Sequence, residues 1–72
     1  MTDRLKFDEV VNRHGMKRYE VAAALGMSPQ SLTNKLGNAT QFTAREMANF
    51  KNLFPDVTDS EFSAIFFAEA LA

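Results

Sequence analysis

The sequence predicts an all-α protein, a compact bundle of five helices. Three observations support this prediction. Apolar residues recur three and four positions apart, which is the spacing of one helix face. The alternation of apolar and polar residues that is typical of half-buried strands is absent. Helix-start and helix-stop residues divide the 72 residues into five segments without a linker, so we expect a single domain over residues 1–72.

The first helix is predicted over residues 3–14 and ends at Gly15. Its buried stripe consists of Phe7, Val10 and Val11. His14 then lies at the helix C-terminus, where the helix dipole favours a protonated imidazole. We interpret His14 as a capping residue, because the sequence holds no second histidine with which it could form a metal site or a catalytic pair.

Two short helices are predicted over residues 18–37, separated by a break of three residues that begins at Gly26. One face of the first helix is apolar and holds Val21, Ala22 and Leu25. Glycine leaves a helix through a left-handed conformation at least cost, so Gly26 ends this helix. Ser28 can cap the next helix, and Pro29 loses nothing at the first helical position. The pattern is that of a helix-turn-helix.

The second of these short helices has an apolar side and a polar side. At about 100° per residue, Leu32 and Leu36 lie together. The opposite side presents Gln30, Thr33 and Asn34. A carboxamide holds a donor and an acceptor in a fixed fork, which is the geometry that recognises adenine in the major groove of DNA. This helix can therefore pack inward through leucines and present amides outward.

The fourth helix is predicted to open with a capping box formed by Thr43 and Glu46 and to end before Pro55. Its apolar positions are Met47, Phe50 and Phe54. The loop that precedes this helix is polar except for Phe42, so we expect the Phe42 ring to pack into the core.

The fifth helix is predicted over residues 59–71, after a second capping box formed by Thr58 and Glu61. Phe62, Ile65 and Phe66 form the stripe that packs on the core. A second apolar stripe is predicted on the opposite side, at Ala64, Phe67, Ala68 and Leu71. A helix that is apolar on two faces needs two surfaces to bury against, so this stripe indicates a protein interface; alternatively, Phe67 merely folds over the core.

The segment from Arg18 to Asn38 resembles the helix-turn-helix of Cro/C1 repressor-like (XRE family) DNA-binding domains, which are five-helix units of the lambda-repressor-like type found in phage and bacterial regulators. The residues that match in order are Glu20, Val21, Ala22, Leu25, Gly26, Ser28, Gln30, Ser31 and Leu32. The resemblance extends over residues 5–66. It departs at Lys35, where an apolar residue is usual, and at Lys17, where the family often has a polar cap.

This resemblance implies a small transcriptional regulator, of a kind common in the lysis-lysogeny switches of phages and prophages, that binds double-stranded DNA. The recognition helix would enter the major groove, with base contacts from Gln30, Thr33 and Asn34. Phosphate contacts would come from Lys17, Arg18, Ser31 and Lys35 and from the loop at Asn38 and Gln41.

The charge distribution leaves a second function open. The net charge is −1, which is unusual for a protein that binds DNA. Residues 1–45 hold seven Lys or Arg against four Asp or Glu, whereas residues 46–72 hold one against five. The alternative is an antirepressor or modulator of repression that binds a partner repressor protein, either instead of DNA or together with it. We expect the chain to form a homodimer or a complex with a partner repressor protein.

Several other classes are not expected. The chain has no cysteine, one histidine and no phosphate-loop glycine pattern, so we predict no enzyme, metal site, cofactor or small-molecule substrate. No apolar run approaches the roughly 18 residues of a membrane span. We therefore expect a soluble, unprocessed cytoplasmic protein without a membrane partner.

Overall fold

The computed structural model describes residues 1–68, and within that range it contains five α-helices and no strand. The helices are α1 (Arg4–Arg13), α2 (Arg18–Leu25), α3 (Pro29–Leu36), α4 (Ala44–Leu53) and α5 (Asp59–Phe66). The radius of gyration is 11.0 Å, close to the value of about 11 Å expected for a compact chain of this length. The all-α prediction is confirmed. None of the five helices is long and apolar enough to cross a membrane.

Four of the helices begin where a side-chain oxygen accepts a backbone N–H three residues further on. The capping residues are Asp3, Ser28, Thr43 and Thr58. Helix α2 differs, because the Lys17 side chain has no acceptor to offer. Its first turn is held from the other direction, since Glu20 Oε1 accepts the Lys17 N–H at 2.9 Å.

The turn between α2 and α3 depends on Gly26, whose φ of 79° lies in the left-handed region. This conformation strains residues that carry a Cβ, so the predicted stop after α2 is confirmed with its physical cause. The chain then needs only Met27 and Ser28 before α3 begins. Such a short connection keeps the two helices in contact.

The core is a cluster of aliphatic and aromatic side chains from all five helices. Its fully buried members include Phe7, Val10, Val21, Leu32, Phe50, Phe54 and Ile65. The Phe50 ring lies 5.2 Å from the Phe7 ring and 5.0 Å from the Phe66 ring, measured between centroids. Phe42 is half-buried, with its ring 5.1 Å from that of Phe66. The predicted packing of Phe42 against the core is confirmed.

Helix α3 lies at one side of this arrangement. Helix α1 packs against α2 and α5, and α2 packs against both α3 and α4. The close helical neighbour of α3 is therefore α2. One long side of α3 remains open to solvent.

Helix α5 is shorter than predicted. It ends at Phe66, and Phe67 is its C-cap, with φ −127° and ψ 41°. The N–H of Ala68 donates to the carbonyl of Met1 at 3.1 Å instead of continuing the helical ladder. Phe67 and Ala68 therefore do not extend an α-helical face with Ala64, which is a correction to the second stripe. The fourth predicted member, Leu71, lies outside the described residues.

The start of α5 shows a smaller difference. Thr58 caps the helix as predicted, accepting the Glu61 N–H at 3.1 Å. The Glu61 carboxylate, however, binds the Arg13 guanidinium at 3.0 and 3.1 Å. The reciprocal half of the predicted capping box is replaced by a contact between α1 and α5.

Candidate nucleic-acid interface

Helix α3 is anchored by one apolar side. Leu32 is 1% exposed, Leu36 is buried beside it, and both belong to the core cluster. Ser28 Oγ accepts the Ser31 N–H at 3.1 Å and fixes the first turn. These contacts define which side of α3 faces solvent.

The three residues predicted to contact bases all lie on the exposed side of α3. Gln30 Nε2 donates to Asn34 Oδ1 at 3.1 Å, and Thr33 Oγ1 donates to the Pro29 carbonyl at 3.1 Å. The side-chain oxygen and one N–H of Gln30 therefore remain free to form hydrogen bonds, as do both side-chain N–H groups of Asn34. The structure brings these groups together as an array of donors and acceptors that faces away from the core.

Lys17 and Arg18, at the start of α2, have different surroundings. Lys17 is exposed and has no ion pair among the described residues. Arg18 binds Asp8 of α1 through two parallel bonds, Nε to Oδ1 at 2.9 Å and Nη2 to Oδ2 at 2.6 Å. This bidentate pair occupies the fork with which a guanidinium would hold a phosphate.

Lys35 also lies in an intramolecular ion pair. Its Nζ is 2.6 Å from Glu46 Oε1, and the two side chains are only 14% and 16% exposed. Burial acts to raise the pKa of the Glu46 carboxyl, but hydrogen bonds from Lys35 and from the Thr43 N–H outweigh it and hold that pKa below its usual value. The structure thus directs the Lys35 side chain toward α4.

The remaining predicted phosphate contacts lie at the two ends of α3. Ser31 is half-buried and bonded to the Ser28 cap. Asn38 has a φ of 64°, and its amide accepts the Thr2 N–H at 2.8 Å and donates to the Thr2 carbonyl at 3.2 Å. Gln41 is exposed, with no protein hydrogen bond in residues 1–68. Of these three, Gln41 has the most free hydrogen-bonding capacity.

Arg45 is a cation near α3 that the sequence pattern did not single out. It is exposed, stands in the first turn of α4 and has no ion pair within the described range. The adjacent Glu46 binds Lys35, so the first turn of α4 lies beside the last turn of α3. The sequence could have indicated Arg45, because this residue directly precedes Glu46 of the predicted capping box.

Three of the seven Lys and Arg side chains of residues 1–45 lie in ion pairs. Arg13 pairs with both Asp56 and Glu61, in addition to the pairs of Arg18 and Lys35 described above. In the part of the chain that the structure describes, the cationic side chains without an ion pair are Arg4, Lys6, Lys17 and Arg45. Half of the eight Lys and Arg side chains therefore remain available for phosphate.

The predicted protein interface is reduced to a small patch. Phe67 is 45% exposed, whereas Ala64 and Ala68 are half-buried. The Phe67 ring lies 6.4 Å from the Phe62 ring and lines a cleft that also includes Phe42, Phe66 and Met1. Phe67 thus does not fold fully over the core.

Comparisons with protein-family models, curated protein sequences and solved structures found no match for this chain.

Proposed function

We propose that this protein is a small transcriptional regulator that binds double-stranded DNA through α3. The observation that supports this proposal most strongly is the side-chain array of Gln30, Thr33 and Asn34. All three are exposed, and the hydrogen bonds of their side chains within residues 1–68 are made only inside α3. An α-helix with its side chains is about 10–12 Å in diameter, which fits a major groove about 12 Å wide.

Phosphate contacts are assigned to the free cations at the starts of α2 and α4, the two helices that contact α3. Lys17 begins α2 and Arg45 lies in the first turn of α4, so both stand where backbone N–H groups also attract anions. Each phosphate contact contributes about −0.9 to the slope of log affinity against log salt. With two such cations, we expect a slope of about −2 for each protein chain. A dimer that binds two half-sites would double this slope. We propose this mode of binding for a regulator in a phage or prophage switch.

The second candidate is a modulator of repression that binds a partner repressor. Two observations favour it. Arg13, Arg18 and Lys35 are neutralised by carboxylates of the same chain, which weakens the attraction for DNA. Phe67 is exposed beside a cleft that Phe42, Met47 and Phe66 line together with the polar residues Thr2, Asn38 and Gln41, where a partner side chain could bury.

Titration of labelled random-sequence duplex DNA at low and high salt separates the two candidates. The proposal predicts binding at low salt that weakens as salt rises, and a smaller slope for the Lys17→Gln/Arg45→Gln variant. Arg18→Gln is the matched control, because Arg18 is already paired and the slope should change little. Absence of binding by the folded wild type at low salt would contradict DNA binding and favour the modulator.

A further inference from the structure

Lys35 lies where α3, the following loop and α4 meet. Its ammonium is 2.6 Å from Glu46 Oε1 and 5.9 Å from the centre of the Phe42 ring. Among the ion pairs of the described residues, this one is the least exposed. Since burial limits screening by solvent, it is the surface-charge contact best able to fix a geometry.

Glu46 takes part in two contacts through one oxygen. Oε1 accepts the Thr43 N–H at 2.9 Å, which opens α4, and also accepts from Lys35. The first turn of α4 and the last turn of α3 are therefore held by the same carboxylate. A movement of one helix end must either carry the other with it or break this contact.

The orientation of α3 depends on this contact and on the hydrogen bonds between Asn38, which follows the helix, and Thr2. Its close helical neighbour is α2, and its buried residues are Leu32 and Leu36. Apolar contacts lack direction, so two leucines alone allow the helix to roll. Lys35 adds a directional contact on the α4 side, one residue beyond Asn34.

We propose that Lys35 is a positioning residue for DNA binding. It acts through Glu46 to set the angle at which α3 presents Gln30, Thr33 and Asn34, and it does not contact a phosphate. This inference rests on the proposed DNA-binding function.

Glu46→Gln provides the sharpest test. Glutamine still accepts the Thr43 N–H in a capping box, but it removes the charge that holds Lys35. Loss of a negative charge normally strengthens binding to DNA. If Glu46 positions α3, the affinity for a selected duplex should instead fall, on the order of tenfold.

Lys35→Met should produce a similar loss, and combining it with Glu46→Gln should add little, because both changes break one contact. The salt slope should stay at the wild-type value. Lys17→Met is the matched control: this exposed lysine is assigned to a phosphate, so its loss should reduce the slope by about 0.9. Lys35→Arg keeps a cation opposite Glu46 and should retain most of the affinity.

Two results would overturn the inference. A reduced slope for Lys35→Met, with unchanged or tighter binding by Glu46→Gln, would assign Lys35 to a phosphate. If the wild type binds no duplex, the proposed function fails. Amide hydrogen exchange of the free protein then tests whether the contact between Lys35 and Glu46 holds α3 in place. Lys35→Met and Glu46→Gln should each accelerate amide exchange in α3 more than in α1. Unchanged exchange in α3 would reject the positioning role of Lys35.

Discussion

The residues on the exposed side of α3 differ in the hydrogen bonds that they can still form. The carbonyl oxygen and remaining N–H of Gln30 can accept from N6 and donate to N7 of one adenine. The two free N–H groups of Asn34 suit an acceptor on a neighbouring base. The contact between the two amides fixes their relative position before DNA binds.

Truncating either amide should therefore affect specificity. Gln30→Ala and Asn34→Ala are each expected to cost about 1–3 kcal/mol on the preferred site and to relax the base preference there. Arg45→Ala should weaken binding to preferred and random duplexes alike, because phosphates carry no sequence information. Competition binding against both duplexes measures the difference. Equal losses on both duplexes for all three variants would refute these roles.

His14 connects the end of α1 to the turn between α4 and α5. Its Nδ1 lies 2.7 Å from the Val10 carbonyl and its Nε2 lies 2.7 Å from Asp56 Oδ1. Both partners are acceptors only, so both ring nitrogens must carry a proton to make both bonds. The bond to Val10, followed by the bond to Asp56, raises the pKa of His14. The predicted capping role is confirmed by the contact with Val10.

This geometry predicts a pH-dependent stability. Folding raises the pKa of His14. The contribution of protonated His14 to the free energy of unfolding is therefore complete below the ordinary pKa near 6.5, and it is lost as pH rises through the pKa of the folded state. Relative to that of His14→Gln, the thermal midpoint of the wild type should fall as pH rises above about 6.5. Thermal unfolding followed by circular dichroism tests this. Parallel curves for the two proteins would show that the protonated contact is not stabilising.

At the scale of elements, α3 depends on its leucines for attachment. Leu32→Ala should destabilise the domain by about 2–5 kcal/mol, because the cavity lies in a closed core. Leu5→Ala removes the same atoms from a side chain that is 70% exposed, and it should change stability by less than about 0.5 kcal/mol. Urea unfolding of both variants provides the comparison. Equal stability of the two variants would mean that α3 is rotated differently about its axis.

The end of α5 gives a second contrast between neighbouring residues. Phe66 is buried and Phe67 is largely exposed, so Phe66→Glu should unfold the domain, whereas Phe67→Glu should leave it helical. Phe67→Glu should also weaken self-association or partner binding, since a charge in a desolvated interface is costly. Sedimentation at several concentrations, with and without a candidate repressor, measures this. A monomeric wild type that behaves like Phe67→Glu would rule out the interface.

The helices could be predicted from the sequence because their signals are local. Caps such as Thr43, stops such as Gly26 and the spacing of apolar residues placed the starts of all five helices within a residue or two of the structure. The end of α5 could not be predicted in this way. The bond from Ala68 to Met1 joins the two ends of the described chain, and no short pattern contains both partners.

Across the whole molecule, the ion pairs could likewise not be predicted from the sequence pattern. Arg18 and Asp8 are 10 residues apart, and Arg13 and Glu61 are 48 apart. The basic first part and the acidic second part therefore suggested separate surfaces, although folding brings much of their opposite charge together. The exposed face of α3 was easier to predict, since helical spacing alone separates Gln30 and Asn34 from Leu32.

We propose that α3 is the surface that binds DNA. Amide chemical shifts followed by NMR during titration with a selected duplex would show which residues contact it. We expect the largest changes in α3 and at the starts of α2 and α4, around Lys17 and Arg45, with little change around the ion pair of His14 and Asp56. Shifts confined to α5 and Phe67, or no shifts at a low salt concentration where the protein stays folded, would contradict this proposal.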